Sequence, residues 1–581
     1  MTNKEELQKA ERPRIMITSA LPYINGVKHL GNLIGSMLPA DLYARYCRMV
    51  GYETLFICGT DEHGTPAELA AADSGKSVEE FTEEMYSIQS SLYEQFDLSF
   101  DWFGRSSCRH NHQLTQYFAS RLFDNGLLEK RVSQQVYSLD DNRFLPDRYI
   151  EGECPHCGYE KARGDQCERC TMQLNPVDLI NARSVISGSS NLEVRDSYHF
   201  YLLQSRMSKT LREWLDSRKT FSVMVRSIAL KWLNDGDGIQ DRGITRDLTW
   251  GIKVAKEGIS YSGMEEKVFY VWFDAPIAYI AATQEWADHK EEDWKRWWLT
   301  DHGADNVKYI QFMAKDNIPF HTISFPITLL GSGEPWKLVD RIIGYNWLTY
   351  RGGKFSTSSN RGIFMDQALE VQESDCWRWW LLSNIPESAD TDFDWHKFQL
   401  GVNGDLANTL GNFVNRVMKF CSTRFDGIVP DGYDMQMDDY ARNMILVMEE
   451  RFVVYTQMME EISIRKAAQE LRAMWSIGNE FLQRLAPWAE YAENPLRAGH
   501  AVRVALNLIY FYSIISEPFI PVLAERMRGF LRRQSEEGKV WPRNVNECMN
   551  CLKAGEELGD FDVLVHKIKD QFCEEMEHRF G

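Results

Sequence analysis

The first sixty-odd residues alternate strand, loop, helix and strand, and this order constrains the fold more than any other feature. "RIMITSA" (14–20) is a short β-branched run, and "LPYINGVKHLGN" (21–32) is a loop punctuated by proline and glycine. "LIGSMLPADLYARYCRMV" (33–50) has helical spacing, in which Pro39 should kink or restart the helix. "YETLFICGTDEHG" (52–64) is a buried strand that enters a polar loop. Such a βαβ unit predicts a parallel sheet with ligands beyond the carboxyl ends of its strands.

Later segments predict the rest of the architecture. We expect "KVFYVWFDAPIAYIAA" (267–282) and "VKYIQFMAKD" (307–316) to be strands followed by loops, forming the second half of the same sheet. Residues 135–225 interrupt the alternation and are expected to be an insertion. Beyond residue 400 apolar residues recur at helical spacing, which predicts a helix bundle, in the runs 437–460, 462–486 and 497–525.

Bulk composition bounds the class of protein. A chain of 581 residues is too long for one core, so we expect three to four domains or subdomains. Its net charge of -19 argues against nonspecific coating of nucleic acid but leaves a local RNA contact open. The first residues lack the apolar region of a signal peptide, and no run of about 18 apolar residues follows. We therefore expect a cytoplasmic protein without membrane contact.

Four of the twelve cysteines form the most specific local motif. Cys154 and Cys157 form one C-x2-C pair, and Cys167 and Cys170 form a second, with nine residues between the two pairs. Four thiolates at this spacing suit a tetrahedral Zn²⁺ without an open position, which is a structural site. His156, within the first pair, is interpreted as a bystander.

Two further motifs follow the predicted strands. In "HLGN", His29, Gly31 and Asn32 stand where a loop enters a helix, and backbone N–H groups there can bind a phosphate. Asp61 follows the second strand, where its carboxylate can hold the ammonium group of a small substrate. A surface histidine in a turn and an aspartate in a turn are the plain alternatives.

The segment "RGGKFSTSSNRG" (351–362) has two interpretations. Its glycines and serines are typical of a flexible linker. Lys354 on such a loop is also what closure over a triphosphate requires. Composition alone leaves both possibilities open.

Taken together, these motifs resemble class I aminoacyl-tRNA synthetases, and the finer matches resemble the methionyl-tRNA synthetase family. "HLGN" and "KFSTS" match the HIGH and KMSKS signatures in family order. The finer matches are "SALPYINGVKHLGN", "FICGTDEHGTP", the four-cysteine knuckle, "RDLTWGI", "YVWFDAPIAY", "AKDNIPFH" and "APW". The resemblance covers roughly residues 14–490.

The resemblance implies ATP-dependent activation of L-methionine and transfer of the methionyl group to tRNA(Met). It implies Mg²⁺ with ATP and catalytic roles for His29, Asn32 and Lys354. Thr357 stands where relatives often carry a second lysine. The stabilisation of pyrophosphate that this lysine would give must therefore be weaker here, or be shared with Lys354, Lys315 or Arg361. The implied ATP-binding residues are His29, Gly31, Asn32, Lys315, Asp316, Gly344, Lys354 and Thr357.

Two more sets of residues follow from the resemblance. Asp61 should bind the α-amino group of methionine, and an apolar, aromatic set should hold its flexible, polarizable side chain. That set is Ala20, Leu21, Tyr23, Trp272, Ala275, Pro276, Tyr279 and His321. For the anticodon the implied residues are Asn412, Arg416 and Trp488, and helical spacing adds Asn408 on the same face.

The expected fold class is α/β, with a Rossmann-type parallel-sheet catalytic domain, a zinc-knuckle insertion and an α-helical anticodon-binding bundle. Residues 551–581 have no assigned role. The expected boundaries are 1–134 and 226–345 for the two halves of the catalytic domain, 135–225 for the insertion, 346–400 for the KMSKS-loop and stem-contact region, 401–550 for the bundle and 551–581 for the tail.

Three alternatives remain open at this point. A class I synthetase for leucine, isoleucine or valine usually carries a larger editing insertion than residues 135–225 allow. A nucleotidylyltransferase shares the phosphate motif but is usually shorter, and a non-catalytic RNA-binding protein derived from a synthetase would keep the knuckle. Family members often dimerise through an additional C-terminal domain, for which 551–581 is too short, so we expect a monomer.

Overall fold

The computed structural model describes residues 13–170, 172, 174–234, 238–256, 258–357, 361–431, 439–534 and 539–580. Its central feature is a five-stranded parallel sheet. The strands are β1 (Arg14–Ser19), β2 (Glu53–Thr60), β3 (Trp102–Arg105), β4 (Val307–Ala314) and β5 (Arg341–Tyr345). Their spatial order is β5-β4-β1-β2-β3, and every neighbouring pair is parallel.

This strand order places a topological switch point between β1 and β4. From β1 the chain continues to one side through β2 and β3, and it later returns to the other side as β4 and β5. In such sheets the crevice beyond the carboxyl ends of the two central strands binds ligands. The predicted parallel sheet is therefore present, and its switch point lies at the carboxyl end of β1, where the sequence predicts a ligand.

Helices pack against the sheet, and the first of them begins at the switch point, just after the loop that follows β1. Leu30–Asn32 leads through a π-helical turn, Leu33–Met37, into helix Leu38–Val50, whose second residue is Pro39. Proline is tolerated in the first turn because the N–H that it lacks would be unpaired there, so the predicted restart is confirmed. The other helices of this part are Thr65–Ser74, Val78–Gln95, Arg109–Asp124, Ser208–Ser217, Val223–Asn234, Val271–Asp274, Ala278–Lys290, Lys295–Trp298, Phe325–Gly331, Met365–Val371 and Ser374–Ser383.

The expectation for 267–282 is wrong. Only Val268–Phe269 is a strand, and it pairs with Thr245–Arg246 outside the parallel sheet. The rest is helical, first Val271–Asp274 and then Ala278–Lys290 after a 3₁₀ turn. A short apolar run that is buried on all sides carries no periodicity that separates strand from helix, and here it is a buried helix.

The inserted region is built from antiparallel strands. The long strands Leu128–Ser138 and Leu192–Leu202 pair along their whole length, so residue 134, the predicted boundary, lies within a strand. The remaining strands between 139 and 260 are short: Arg143–Phe144, Ile150–Glu153, Ala162–Arg163, Ile180–Ser184, Arg242–Gly243, Thr245–Arg246, Ala255–Lys256 and Ile259–Ser260. A separate small core surrounds Cys154 and Cys167.

The part from residue 395 onward is largely helical, as the spacing beyond residue 400 predicts. Its helices are Trp395–Gly401, the π-helix Val402–Gly411, Asn412–Arg424, Asp439–Glu460, Ile464–Leu485, Pro487–Glu490, Pro495–Ile515, Pro521–Phe530 and Phe572–Phe580. Among described residues one helix, Pro495–Ile515, has the length and apolar composition to cross a membrane, and 89% of its apolar stretch is buried within the protein. That is the position of a bundle core helix. The tail also packs on the bundle, through residues that include Leu552, Leu564 and Phe572.

The described residues between β5 and the bundle form a small connecting unit. The strands Leu348–Tyr350, Gly353–Lys354 and Thr391–Phe393 make one sheet, in which the first two pair as an antiparallel hairpin. Lys354 therefore lies on a hairpin rather than on a free linker. Ser358, the last residue of "KFSTS", lies outside the described residues.

Candidate functional site

Two adjoining cavities lie at the switch point. The first, of about 220 Å³, lies over the start of the helix after β1. The second, of about 60 Å³, is lined largely by aromatic side chains. Ala20, Leu21 and Asn317 line both cavities, so the two spaces share a wall. The loops that follow β1 and β4 supply this wall, as expected for ligand binding at a switch point.

His29 and Asn32 hold each other at the entrance of the first helix. The backbone N–H of Asn32 donates to His29 Nδ1 at 3.1 Å, and the backbone N–H of His29 donates to Asn32 Oδ1 at 3.3 Å. Burial, and then the neighbouring Lys28 ammonium, lower the pKa of His29 to about 3. The ring is therefore neutral, and since Nδ1 accepts, its proton is on Nε2. A Cβ at Gly31 would lie 3.1 Å from His29 Nδ1, which leaves little room for a side chain.

The hairpin that carries Lys354 closes the first cavity from the opposite side. The rings of Phe355 and His29 have centroids 5.1 Å apart, and Phe355 lines the cavity together with Lys354 and Asp316. The loop after β1 (residues 21–32), which contains the HLGN motif, is called the signature loop below. The chain just beyond the hairpin is fixed to it, because the N–H of Leu30 donates to Ile363 O at 3.0 Å. The signature loop and the hairpin therefore form one packed unit.

Two lysine ammonium groups lie against one indole ring at the mouth of this cavity. Lys354 Nζ lies 3.4 Å and Lys315 Nζ 3.9 Å from the centroid of Trp347. Lys315 also pairs with Asp390 at 2.8 Å. Among described residues no carboxylate lies within salt-bridge distance of Lys354, and burial followed by the Lys315 charge lowers its pKa. The ammonium group of Lys354 is therefore available to pair with an anionic ligand.

Three of the sequence-predicted ATP residues do not line the first cavity. Lys315 is engaged with Asp390, as described. Thr357 lies against the signature loop, where a Cβ at Gly26 would be 3.3 Å from Thr357 Cγ2. Gly344 lies in β5, where a Cβ would be 2.8 Å from Ile318 Cδ1. The packing of β5 alone therefore gives a reason for glycine at 344.

All nine residues that the sequence predicts to bind methionine line the second cavity. They come from the loop after β1, the end of β2 and the two helical segments 271–290 and 320–331. The lining residues are Ala20, Leu21, Tyr23, Asp61, Trp272, Ala275, Pro276, Tyr279, Asn317, Phe320 and His321. Trp272 Nε1 donates to the Tyr23 hydroxyl at 3.1 Å, and the rings of Trp272 and Phe320 have centroids 4.5 Å apart. The cavity is narrow, apolar and aromatic, with one carboxylate.

That carboxylate is in an unusual electrostatic position. Asp61 is buried, and its Oδ1 has no hydrogen-bond partner among the described residues. Burial, then the carboxylates of Asp274 and Glu62, raise the pKa of Asp61 well above its usual range, while Lys28 opposes them. A buried carboxylate oxygen without a partner is costly, so a ligand ammonium group would satisfy it.

Tyr279 and His321 form a fixed pair at the far side of the second cavity. Their hydroxyl oxygen and Nε2 are 3.0 Å apart, and His321 Nδ1 lies 2.9 Å from the carbonyl oxygen of Asn317. A carbonyl only accepts, so Nδ1 carries the proton, and burial lowers the pKa of His321 to about 4, which keeps the ring neutral. Tyr279 therefore donates to His321. In this arrangement both protons of the pair are used within the protein, so Tyr279 and His321 offer a thioether packing against their rings rather than a hydrogen bond.

Sequence reasoning missed several of the residues that line the two cavities. Asn317 and Phe320 line the aromatic cavity, and Trp347 and Phe355 line the first. Asn317 and Phe320 stand beside His321 in the quoted string "AKDNIPFH", so their position in that string was the available signal. Trp347 could not be found from composition, because an isolated tryptophan in a strand-rich segment is usually a core residue.

The four predicted cysteine ligands come together in the insertion. The sulfur atoms of Cys154 and Cys170 are 3.8 Å apart, and those of Cys157 and Cys167 are 3.6 Å apart. Four ligands about 2.3 Å from a tetrahedral ion would be about 3.8 Å from one another. The four sulfur atoms lie within 4.8 Å of each other, so the cluster can hold a metal ion.

The predicted anticodon residues lie on the surface of the helical part. Asn408 is in the π-helix Val402–Gly411, and Asn412 begins the helix that carries Arg416. Both asparagines are exposed. The Arg416 guanidinium lies 4.2 Å from the centroid of Trp488, whose side chain is 42% exposed. An arginine stacked on an exposed indole gives a platform on which a base can stack.

Comparisons with known proteins agree with this geometry. The family model described as "tRNA synthetases class I (M)" matches residues 15–418, and the "Anticodon binding domain of methionyl tRNA ligase" matches residues 429–581. The methionine–tRNA ligase of Ruegeria sp. (strain TM1040) is 56% identical over 571 residues, or 98% of this chain and 99% of the relative. That of Dinoroseobacter shibae is 55% identical with the same coverage.

A solved structure shows the same fold. Mycobacterium tuberculosis methionyl-tRNA synthetase in complex with methionyl-adenylate superimposes with a TM-score of 0.74 at 20% identity, over 95% of this chain and 99% of that chain. At that identity the likeness concerns the fold, whereas the family models and curated relatives establish the family. The chain belongs to the class I tRNA synthetases (M), the family of the methionine–tRNA ligases.

Proposed function

We propose that this protein activates L-methionine with ATP, releases pyrophosphate, and transfers the methionyl group from the adenylate to the 3′-terminal adenosine of tRNA(Met). The observation that carries the proposal is the pair of adjoining cavities. One has helix-terminal N–H groups, a neutral histidine and a lysine without a salt bridge among the described residues, and the other is aromatic with a single unsatisfied carboxylate, Asp61.

Methionine fits the second cavity by its chemistry. Its ammonium group would pair with Asp61, and its side chain would pack among Trp272, Phe320 and Tyr279. The substrate carboxylate would then point toward the shared wall at Leu21 and Asn317 and so toward the first cavity. Because this carboxylate is already ionised, adenylate formation needs no general base.

ATP would occupy the first cavity with its α-phosphate near His29 and Asn32. A carboxylate oxygen of methionine attacks the α-phosphorus, the bond to the bridging oxygen of pyrophosphate breaks, and methionyl-adenylate and pyrophosphate result. The Nε2–H of His29 and the side-chain amide of Asn32 would donate to the phosphoryl oxygens on which charge develops. Lys354 would bind the β- and γ-phosphates, and ATP would enter as its Mg²⁺ complex, in which the ion neutralises phosphate charge.

Zinc is the metal proposed for the four-cysteine cluster. Closed tetrahedral thiolate sites are structural, so the ion would hold the insertion folded without contact with the substrate. The buried Cys154 and Cys167 belong to the small core of the insertion, so an ion bound to them would also tie that core together.

The tRNA would be recognised at a distance from the chemistry. Asn408, Asn412, Arg416 and Trp488 are proposed to read the unstacked anticodon bases, and the insertion would contact the acceptor end. We also propose that the domains given above are the functional units, with the first boundary moved from residue 134 to before the strand Leu128–Ser138, and that the enzyme acts as a cytoplasmic monomer.

The direct test of the second step is aminoacylation. Transcripts of tRNA(Met) and of a variant with a changed anticodon are incubated with protein, ATP and labelled methionine. The proposal requires charging of the first and strongly reduced charging of the second. Tight binding of tRNA(Met) without charging would instead support the non-catalytic RNA-binding alternative.

A further inference from the structure

A second cluster of metal-binding side chains lies away from both cavities and from the cysteine knuckle. Cys108, His110 and Glu285 each offer one ligand atom, and the sulfur, ring nitrogen and carboxylate oxygen lie within 4.8 Å of one another. Cys108 immediately precedes helix Arg109–Asp124, and His110 is in its first turn. Glu285 lies on helix Ala278–Lys290. All three residues are half-buried.

Neighbouring groups orient two of these ligands in the way that metal sites require. His110 Nε2 lies 3.0 Å from Asp288 Oδ2, one helical turn beyond Glu285, which leaves Nδ1 for a metal ion. Trp102 Nε1 donates to Glu285 Oε2 at 3.1 Å. A histidine bound to a metal usually donates its other ring N–H to a carboxylate, and bound carboxylates are themselves hydrogen-bonded. Both outer contacts are already present here.

The charge balance of the cluster also favours a cation. Among the described residues no lysine or arginine forms a salt bridge with Glu285. Gly104 adds to the space beside this carboxylate, since a Cβ there would be 3.0 Å from Glu285 Oε2. A half-buried carboxylate beside a thiol and without a cationic partner gains stability when a cation binds between them.

We propose that Cys108, His110 and Glu285 form a second metal site, which binds a divalent transition metal ion such as Zn²⁺ independently of the knuckle. The S, N, O ligand set suits Zn²⁺, whereas Mg²⁺ and Ca²⁺ prefer oxygen ligands only. Three protein ligands leave a fourth position for water. The ion would tie the start of helix Arg109–Asp124 to helix Ala278–Lys290, which also carries Tyr279 of the aromatic cavity.

The experiment measures metal stoichiometry on the full chain. Purified protein is titrated with Zn²⁺ against a chromogenic chelator, and any ion already bound at the knuckle is counted in the total. We expect two bound equivalents in the wild type and one in Cys167→Ser, which retains the second site. Cys108→Ser and Glu285→Gln should each weaken the second equivalent at least tenfold, since the loss of one ligand removes a direct bond. Cys551→Ser, which removes a half-buried cysteine outside any cluster in the described chain, should keep both.

A second measurement needs no variant and so is independent of any folding defect. Thiol alkylation of the wild type is followed by peptide mass spectrometry, with and without added Zn²⁺. Zn²⁺ should slow the labelling of Cys108 at least tenfold and leave Cys551 unchanged. Equal labelling of Cys108 in both samples would overturn the proposal. So would a single zinc equivalent in the wild type, or two equivalents in both the Cys108→Ser and the Glu285→Gln protein.

Discussion

His29 and Asn32 are joined by reciprocal hydrogen bonds, each backbone N–H donating to the side chain of the other residue at 3.1 and 3.3 Å. This pairing uses the lone pair of His29 Nδ1 and the Oδ1 of Asn32. It leaves the His29 Nε2–H and the Asn32 amide N–H groups as donors directed by the fold. The signature motif therefore presents neutral donors, prepared in advance, at a helix N-terminus.

Loss of a prepared donor should slow adenylate formation. We predict that His29→Ala lowers the rate of methionine-dependent ATP–pyrophosphate exchange about 100-fold, since one donor to developing charge contributes about 2.7–4 kcal/mol. Lys354→Ala should have an effect of the same order. Methionine affinity should change little in both, because neither residue lines the aromatic cavity.

The matched control for the histidine is His302→Ala, a change at an exposed residue, which should retain wild-type exchange. Exchange at the normal rate in His29→Ala would remove the residue from the mechanism.

The buried histidines predict how stability depends on pH. The pKa of His321 is lowered to about 4 by burial, below its value of about 6.5 in the unfolded chain. The unfolded state therefore binds more protons between these values, so this group's contribution is complete above about pH 6.5 and is lost as pH falls toward 4. His321→Gln removes this titration, and its thermal midpoint should fall less steeply than that of the wild type between pH 7 and 5.

The measurement is a series of thermal unfolding curves from pH 7.5 to 5, with the exposed His302→Gln as the control that keeps the wild-type slope. Parallel slopes for the wild type and His321→Gln would contradict the neutral, buried ring and the Tyr279 hydrogen bond inferred from it.

The knuckle predicts a specific loss of metal. Cys167→Ser should release the ion of the four-sulfur cluster, because three thiolates hold a structural zinc far more weakly than four. Limited proteolysis should then cut first within the insertion. Cys548→Ser changes a buried cysteine outside the cluster, so it should retain the metal even where it lowers stability. A Cys167→Ser protein whose knuckle keeps its metal would contradict the four-thiolate site.

The stacked pair Arg416 and Trp488 predicts a defect confined to tRNA. We expect Trp488→Ala to raise the KM for tRNA(Met) about 5- to 150-fold, since stacking of a base on an aromatic ring contributes about 1–3 kcal/mol. Methionine-dependent exchange, which does not involve tRNA, should stay at the wild-type rate. Leu446→Ala, at another exposed apolar residue of the helical part, should change neither quantity. An unchanged KM in Trp488→Ala would remove the platform from anticodon recognition.

Much of the fold could be predicted because local signals agreed with one another. Proline and glycine positions indicate the loop after β1 and the restart of the helix at Pro39. The spacing of apolar residues indicates the long bundle helices. Residues 267–282 were predicted wrongly because a fully buried apolar segment has no exposed face to reveal its period. The side chains of Trp272, Ala275, Pro276 and Tyr279 still face one cavity in the helical arrangement.

The arrangement of charges could not be read from the sequence. Lys315 and Lys354 are 39 positions apart, and their common contact with Trp347 depends on how β4 and the hairpin pack. The direction of the Tyr279–His321 hydrogen bond depends on a carbonyl oxygen, that of Asn317, which no side-chain motif can specify. Electrostatic detail of this kind follows from three-dimensional placement.

The most direct test of the central claim is ATP–pyrophosphate exchange with each of the twenty amino acids in turn. The two cavities predict strong exchange with L-methionine and little with leucine, isoleucine or valine. Asp61→Asn should lose at least about 30-fold in kcat/KM for methionine, because removal of one partner of a buried charge pair costs about 2 kcal/mol or more. Exchange that is driven best by another amino acid, or that persists in Asp61→Asn at the wild-type kcat/KM, would contradict this account.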